Sequence, residues 1–194
     1  MPRLILPALL GIASLALAAA APVDMKTKQE ADGTHTLVHE MVVDAPPAEV
    51  WTAISTAKGW TSWAVPVAWA PEPDVIETSY TPNAAPGDKS TIRQRLLARI
   101  PSRLLVFRTE KAPQGFPNFD TYSKVTSVFE LEPAGEGKTR VRLTGAGYAD
   151  SDAGRELLGF FKRGNAASLE WLGTRFSEGP IDWKKRLSAP APKK

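Results

Sequence analysis

Residues 152–176, DAGRELLGFFKRGNAASLEWLGTRF, hold the longest uninterrupted helical pattern in this 194-residue chain. Ser151 or Asp152 can cap its start, and Gly179-Pro180 brings it to a stop. Spaced at about 100° per residue, Leu157, Phe160, Phe161, Gly164, Ser168, Trp171, Leu172 and Arg175 share one face. Large side chains lie near the ends of that face, and its middle holds Gly164 and Ser168. Laid on a sheet, such a helix leaves a gap at its centre unless the facing strands fill it. The same pattern also suits a Gly164 that lets helix and sheet approach closely, with no void.

What precedes the helix supplies the sheet. Thr34 to Val43 alternates and carries β-branched residues, which predicts a strand. Asp44-Ala45-Pro46-Pro47 follows, with an Asp able to cap and prolines tolerated at a helix start. Val50, Trp51 and Ile54 then recur at helical spacing, and a second short helix is expected over Thr56 to Trp63. Five further strands are predicted: Val75–Thr81, Thr91–Arg99, Arg103–Thr109, Lys124–Glu132 and Thr139–Ala146. Pro86-Gly87-Asp88, Ile100-Pro101-Ser102 and Gly135-Glu136-Gly137 are the clearest turns between them. Such close spacing implies antiparallel neighbours. Strands segregated from helices, with one long helix against the sheet, define an α+β domain. No internal repeat is present.

The N-terminus carries an export pattern. Arg3 and the α-amino group are positive, Leu4 to Ala18 is almost wholly apolar, and Ala18 to Ala21 are small. Cleavage after Ala20 fits best, since cutting after Ala21 would leave Pro22 just beyond the cut. A retained anchor is the lesser alternative. The run is shorter than the roughly 20 residues of a membrane span, and Pro7, Gly11 and Ser14 interrupt it. We therefore divide the chain into a signal peptide (1–20), a polar leader or linker (21–33), a folded domain (34–180) and a basic, Pro-containing tail (181–194). The expected location is the periplasm or the exterior.

Composition excludes several classes. Without cysteine there is no disulfide framework, thiolate metal site or thiol nucleophile. The net charge of +3 is unevenly placed. Of 24 Lys and Arg, Arg3 and five tail residues lie outside Pro22–Pro180, leaving 18 against 20 Asp and Glu there. A nucleic-acid surface needs clustered basic residues, so no nucleic-acid partner is expected of the domain. The tail reads as a solvated end with weak attraction to anionic membrane.

Four segments together resemble one family. VVDAPPAEVWTAIS (42–55) is similar to the strand–Ala-Pro–helix opening of the START-like, or Bet v 1-like (SRPBCC), superfamily. ARIPSRLLVFR (98–108) resembles its turn between middle strands, VTSVFELEPAGEGKTRVRLTGAGY (125–148) its final hairpin, and GNAASLEWL (164–172) its closing helix. The nearest branch is the one related to the activator of Hsp90 ATPase, grouped with polyketide cyclases. The likeness spans roughly residues 34–180. It implies a helix-grip architecture: a curved antiparallel sheet wrapped around the long C-terminal helix, two short helices after the first strand, and an apolar cavity between sheet and helix.

Catalytic chemistry is thin. The chain has only His35 and His39, both on the first predicted strand, and no G-x-S-x-G elbow. His35 is expected in solvent, whereas His39 alternates inward with Met41 and Val43. Asp74, Glu77 and Asp88 fall on turns and strand edges, where solvated charge is the ordinary reading. No metal site is expected.

Aromatic residues carry more information. Trp60 and Trp63 flank the second helix, at one mouth of the implied cavity. Phe116, Phe119 and Tyr122 crowd the loop APQGFPNFDTY (112–122) and suit a hydrophobic lid. Phe107, Phe129, Phe161 and Trp171 fall on inward-facing elements, where plain packing competes with ligand contact. Gln94, Tyr122 and Asn165 are the candidate polar groups inside, and Ser168, at the gap in the helix face, is a further candidate lining residue.

The leading expectation is an exported, monomeric protein that holds a small hydrophobic ligand, such as a lipid, polyketide or aromatic metabolite, and needs no cofactor. A cyclase or dehydratase using Tyr122, His39 or Gln94 to polarise a carbonyl is the alternative, and requires at least two of these to converge. A third is an interaction module. An export signal argues against Hsp90 as its partner, since Hsp90 and ATP are cytoplasmic.

Overall fold

The computed structural model describes residues 22–188, so the signal segment and the tail beyond Ser188 lie outside the described residues. Eight strands form one antiparallel sheet: β1 (Asp24–Gln29), β2 (His35–Val43), β3 (Val67–Trp69), β4 (Val75–Ser79), β5 (Thr91–Ile100), β6 (Leu104–Lys111), β7 (Thr126–Pro133) and β8 (Thr139–Tyr148). Their spatial order is β1-β2-β8-β7-β6-β5-β4-β3. The helices are α1 (Pro47–Ser55), α2 (Ala57–Thr61), α3 (Phe119–Tyr122), α4 (Asp152–Glu178) and α5 (Trp183–Ser188). This is the α+β helix-grip arrangement.

Alternation places the core. Along β2, Leu37, His39, Met41 and Val43 are buried while the residues between them are only partly so. On β8 the inward set includes Val141 and Leu143, with Arg140 and Arg142 pointing out. Register shifts at Arg93/Gln94 and Leu96/Ala98 mark bulges in β5, which bend that strand and increase its twist. The bent sheet leaves α4 packed mainly on β2 and β8, with β4–β7 arching away beyond.

The corner of α1 and α2 is fixed by hydrogen bonds. Thr56 Oγ1 accepts from the Gly59 N–H and so caps α2. The indoles of Trp60 and Trp63 donate to the carbonyls of Ile54 (2.7 Å) and Ala53 (3.0 Å), which a helix C-terminus otherwise leaves unmet. Gly59 is required here, because a Cβ would lie 2.1 Å from the Thr52 carbonyl oxygen. At the far end, Ser151 caps α4 by accepting from the Gly154 N–H at 3.2 Å.

Several expectations change. The 21–33 leader contains β1, which pairs with β2 along its whole length. All six of its residues are exposed, so no burial period was there to be read. Asp44 caps nothing: α1 begins behind Pro46 with no side-chain cap, and Asp44 binds Lys138 at 2.6 Å. Glu77 is not solvated but buried on β4, where it accepts from the Gly87 N–H at 2.8 Å and anchors the β4–β5 loop. His35 is only partly exposed, 3.7 Å from Asp150. The tail is not free from its first residue. The Ile181 N–H donates to the Ser62 carbonyl, Trp183 Nε1 donates to the Thr61 carbonyl at 2.6 Å, and the Arg186 guanidinium lies 4.6 Å above the Trp171 ring.

Candidate functional site

A cavity of about 270 Å³ lies beneath α4. One end is built by Trp60, Trp63, Phe107, Phe129 and Trp171. Trp60 meets Trp63 at 5.3 Å and Phe107 edge-on at 6.5 Å, and Phe107 stacks on Phe129 at 6.1 Å. The other end is closed by the 112–122 loop. Tyr122 stacks on Phe161 at 4.5 Å, and Phe116 packs against Tyr122 at 5.5 Å and edge-on against Phe160 at 5.9 Å. Offset and edge-to-face pairs of this kind hold the rings in fixed orientations. Tyr80 and Phe160, both about half exposed, mark where the cavity reaches solvent.

Most of the sequence-derived set is brought together. Trp60, Trp63, Gln94, Phe107, Phe116, Tyr122, Phe129, Phe161, Asn165 and Ser168 all line this space. Phe119 does not. The chain turns at Asn118, in the left-handed region at φ 55°, between Phe116 and Phe119. The two aromatics therefore leave the loop differently, and Phe119 stays out of the cluster formed by Phe116, Tyr122 and Phe161. Tyr80, Ile92, Thr109, Ser127 and Leu143 also line the cavity and were not anticipated. Strand register brings in two of them: Thr109 pairs with Gln94, and Ser127 with Phe107.

The gap expected under the middle of α4 is present, with Ser168 rather than Gly164 lining it. A Cβ on Gly164 would meet only the edge of Phe160, at 4.0 Å, so this glycine is not a close contact between helix and sheet. Nor does it line the cavity; Asn165 and Ser168 do. Short side chains on both sides leave the space, Ser168 on α4 and Ser127 and Thr109 on the strands facing it, and the bulges of β5 bend the sheet away.

The electrostatics are plain. Tyrosines aside, no ionisable side chain among the described residues lines the cavity. Burial pushes the Tyr122 phenol above its usual range, so it is neutral at physiological pH. Thr109 Oγ1 points at the Tyr122 hydroxyl from 3.4 Å, too long for a full hydrogen bond. Ser168 Oγ is satisfied by the Gly164 carbonyl at 2.9 Å, whereas Gln94 Oε1 is buried with no partner. Gln94 and Tyr122 thus converge on one space. His39 does not join them: it is fully buried between β2 and α4, with Nε2 2.9 Å from the Lys162 carbonyl. Among the described residues no three His, Asp or Glu side chains gather as a metal site would need.

A bent antiparallel sheet gripping a long helix, with an aromatic cavity between them, is the helix-grip architecture of START-like domains. The chain belongs to the family described as polyketide cyclase/dehydrase and lipid transport, which matches residues 34–176. Among solved structures it is similar to the Aha1 dimer from Colwellia psychrerythraea (17% identity, TM-score 0.57, covering 74% of this chain and 97% of that one). It is also similar to CalU16 from Micromonospora echinospora (16%, TM-score 0.55, 87% and 91%). A third likeness is to the di-domain ARO/CYC protein BexL of the BE-7585A biosynthetic pathway (19%, TM-score 0.57, 71% of this chain and 45% of BexL). At these identities the likeness is one of fold. No curated protein matches the chain.

Proposed function

We propose that this is an exported protein that holds a small hydrophobic ligand in the cavity between sheet and α4. The observation that carries the reading is the cavity itself: about 270 Å³, walled by aromatics at both ends and lined, among the described residues, by no acid or base that titrates near neutrality. Binding would be driven by apolar area leaving water, at about 25 cal/mol per Å², with a few amides and hydroxyls fixing the pose. Export rests on the N-terminal pattern of positive, apolar and small residues. Among the described residues no helix is long and apolar enough to cross a membrane.

Native mass spectrometry of protein purified from its source tests the binding reading, with a bound small molecule as the expected result. Bare protein, together with no binding of apolar environment-sensitive dyes, would overturn it. The mass of the exported chain tests cleavage after Ala20. Light scattering across a concentration series tests the proposed monomer, which matters because the similar Aha1 protein was solved as a dimer.

A second reading, a cyclase or dehydratase, draws on one observation: Tyr122 and Gln94 face the same cavity. A neutral phenol and a carboxamide can polarise a substrate carbonyl by donating hydrogen bonds, but neither abstracts a proton readily at neutral pH. Incubation with an apolar polyketone that loses one water, and that fails to do so with Tyr122→Phe, would favour this reading over simple holding.

A further inference from the structure

Gln94 sits deep in the cavity wall, 8% exposed, and its Oε1 has no hydrogen-bond partner. Its cross-strand neighbours offer none. Ile76 on β4 is apolar, and the Thr109 hydroxyl on β6 is turned towards Tyr122. An orphaned buried amide oxygen is a standing cost to the folded protein. Among the described residues the same wall carries no Asp, Glu, His, Lys or Arg to meet a charged ligand.

We infer that the cavity selects an uncharged, compact ligand bearing a hydroxyl or similar neutral polar group, that Gln94 holds this group, and that the carboxylate of the same skeleton is rejected. The inference rests on the reading of the cavity as a ligand site. A carboxamide offers both a donor and an acceptor, and a hydroxyl likewise gives one hydrogen bond and takes another, so the two match in either orientation of the amide. A carboxylate would enter without a cation to compensate its lost hydration, which strongly disfavours burial. Size points the same way: about 270 Å³ lies just below the roughly 300–1,000 Å³ of ordinary ligand pockets. One or two fused rings suit it better than a long acyl chain.

Three probes of one skeleton test this: naphthalene, 2-naphthol and 2-naphthoate, titrated near neutral pH into the full chain and into Gln94→Leu. Quenching of tryptophan fluorescence is the readout, since Trp60, Trp63 and Trp171 line the cavity. In the unaltered protein 2-naphthol should bind about three- to tenfold more tightly than naphthalene, the worth of one net neutral hydrogen bond, and 2-naphthoate about tenfold or more weakly than 2-naphthol. In Gln94→Leu the advantage of 2-naphthol over naphthalene should vanish while naphthalene still binds. The empty variant should also unfold at a higher temperature, because the orphaned oxygen is gone. Gln94→Met, closer in shape, gives the same comparison should the Leu variant fold poorly. If 2-naphthoate binds as tightly as 2-naphthol, or the preference for 2-naphthol survives both substitutions, the inference is overturned with the ligand site intact. If not even naphthalene quenches, the ligand reading itself is overturned.

Discussion

His39 is fully buried where β2 meets α4, and its surroundings dictate its chemistry. A carbonyl oxygen only accepts, so the Nε2 that faces Lys162 at 2.9 Å must carry the proton. That leaves Nδ1 as an unpartnered lone pair. A second proton would put a charge on Nδ1 with no acceptor, and burial accordingly holds the imidazole pKa below its ordinary 6.5. In the unfolded chain the ring takes up a proton near 6.5, and in the folded chain only at lower pH. The unfolded state therefore binds more protons in this window, and stability falls as pH drops below about 6.5, by at most ~1.4 kcal/mol per pH unit. His39→Gln keeps an N–H for the Lys162 carbonyl and cannot titrate. Urea midpoints measured between pH 7 and pH 5 should decline for the unaltered protein and decline less for His39→Gln; parallel curves would contradict the assignment. Gly164 gives a second outcome at this scale. Glycine inside a helix costs about 0.5–1 kcal/mol relative to alanine, and a Cβ here has room. Gly164→Ala should raise the melting temperature by roughly 1–4 °C without altering ligand affinity.

Elements show where the sequence is informative and where it is silent. β2 and α4 were legible because burial stamps a period on them: residues two apart on β2 are buried, and α4 hides Leu157 and Leu172 as its pattern implies, although the buried face also takes in Leu158 and Leu169 and leaves Phe160 half exposed. β1 has no buried residue, hence no period, and only pairing with β2 makes it a strand. β3, of three half-buried residues, is too short to carry a pattern. α5 was hidden for another reason. Its sequence, WKKRLS, reads as a charged tail, yet its anchoring depends on what Trp183 and Arg186 meet in space. Trp183 reaches the carbonyl of Thr61, the last residue of α2, and the Arg186 guanidinium lies over Trp171, which lines the cavity. The helix thus ties α2 to α4 at the tryptophan end. Trp183→Ala removes one hydrogen bond and part of an indole's burial, so a loss of about 1–2 kcal/mol is expected in chemical denaturation. Ligand binding should weaken with it if Trp171 loses its support. An unchanged denaturation midpoint would mean that α5 contributes nothing to the domain.

At the scale of the whole molecule, charge and apolar surface are divided between the two faces of the sheet. The outer face carries ion pairs, Arg93 and Arg95 with Glu72 and Glu110, and Arg140 and Arg142 with Glu40. Each such exposed pair is worth about 0–1 kcal/mol. The inner face bears the core and the cavity. The aromatic wall was legible because large rings on inward elements have few other places to go. The short wall residues, Thr109 and Ser127, were not, since their role is to leave space, and space belongs to register and curvature. That contrast raises the question of whether the cavity is a site or merely a packing defect, and Ser168→Leu separates the two. Ser168 lines the space, and its hydroxyl serves only the Gly164 carbonyl of its own helix. Leucine is the better helix former and would fill part of the void with apolar atoms, so the empty variant should be at least as stable as the unaltered protein. A ligand present at 100 times its dissociation constant stabilises a one-site protein by about 2.7 kcal/mol. With 2-naphthol as the probe, that rise in melting temperature should appear in the unaltered protein and be lost in Ser168→Leu. An equal rise in both would place the binding somewhere other than beneath α4. No rise in either would mark the cavity as a gap that the curvature of the sheet leaves behind.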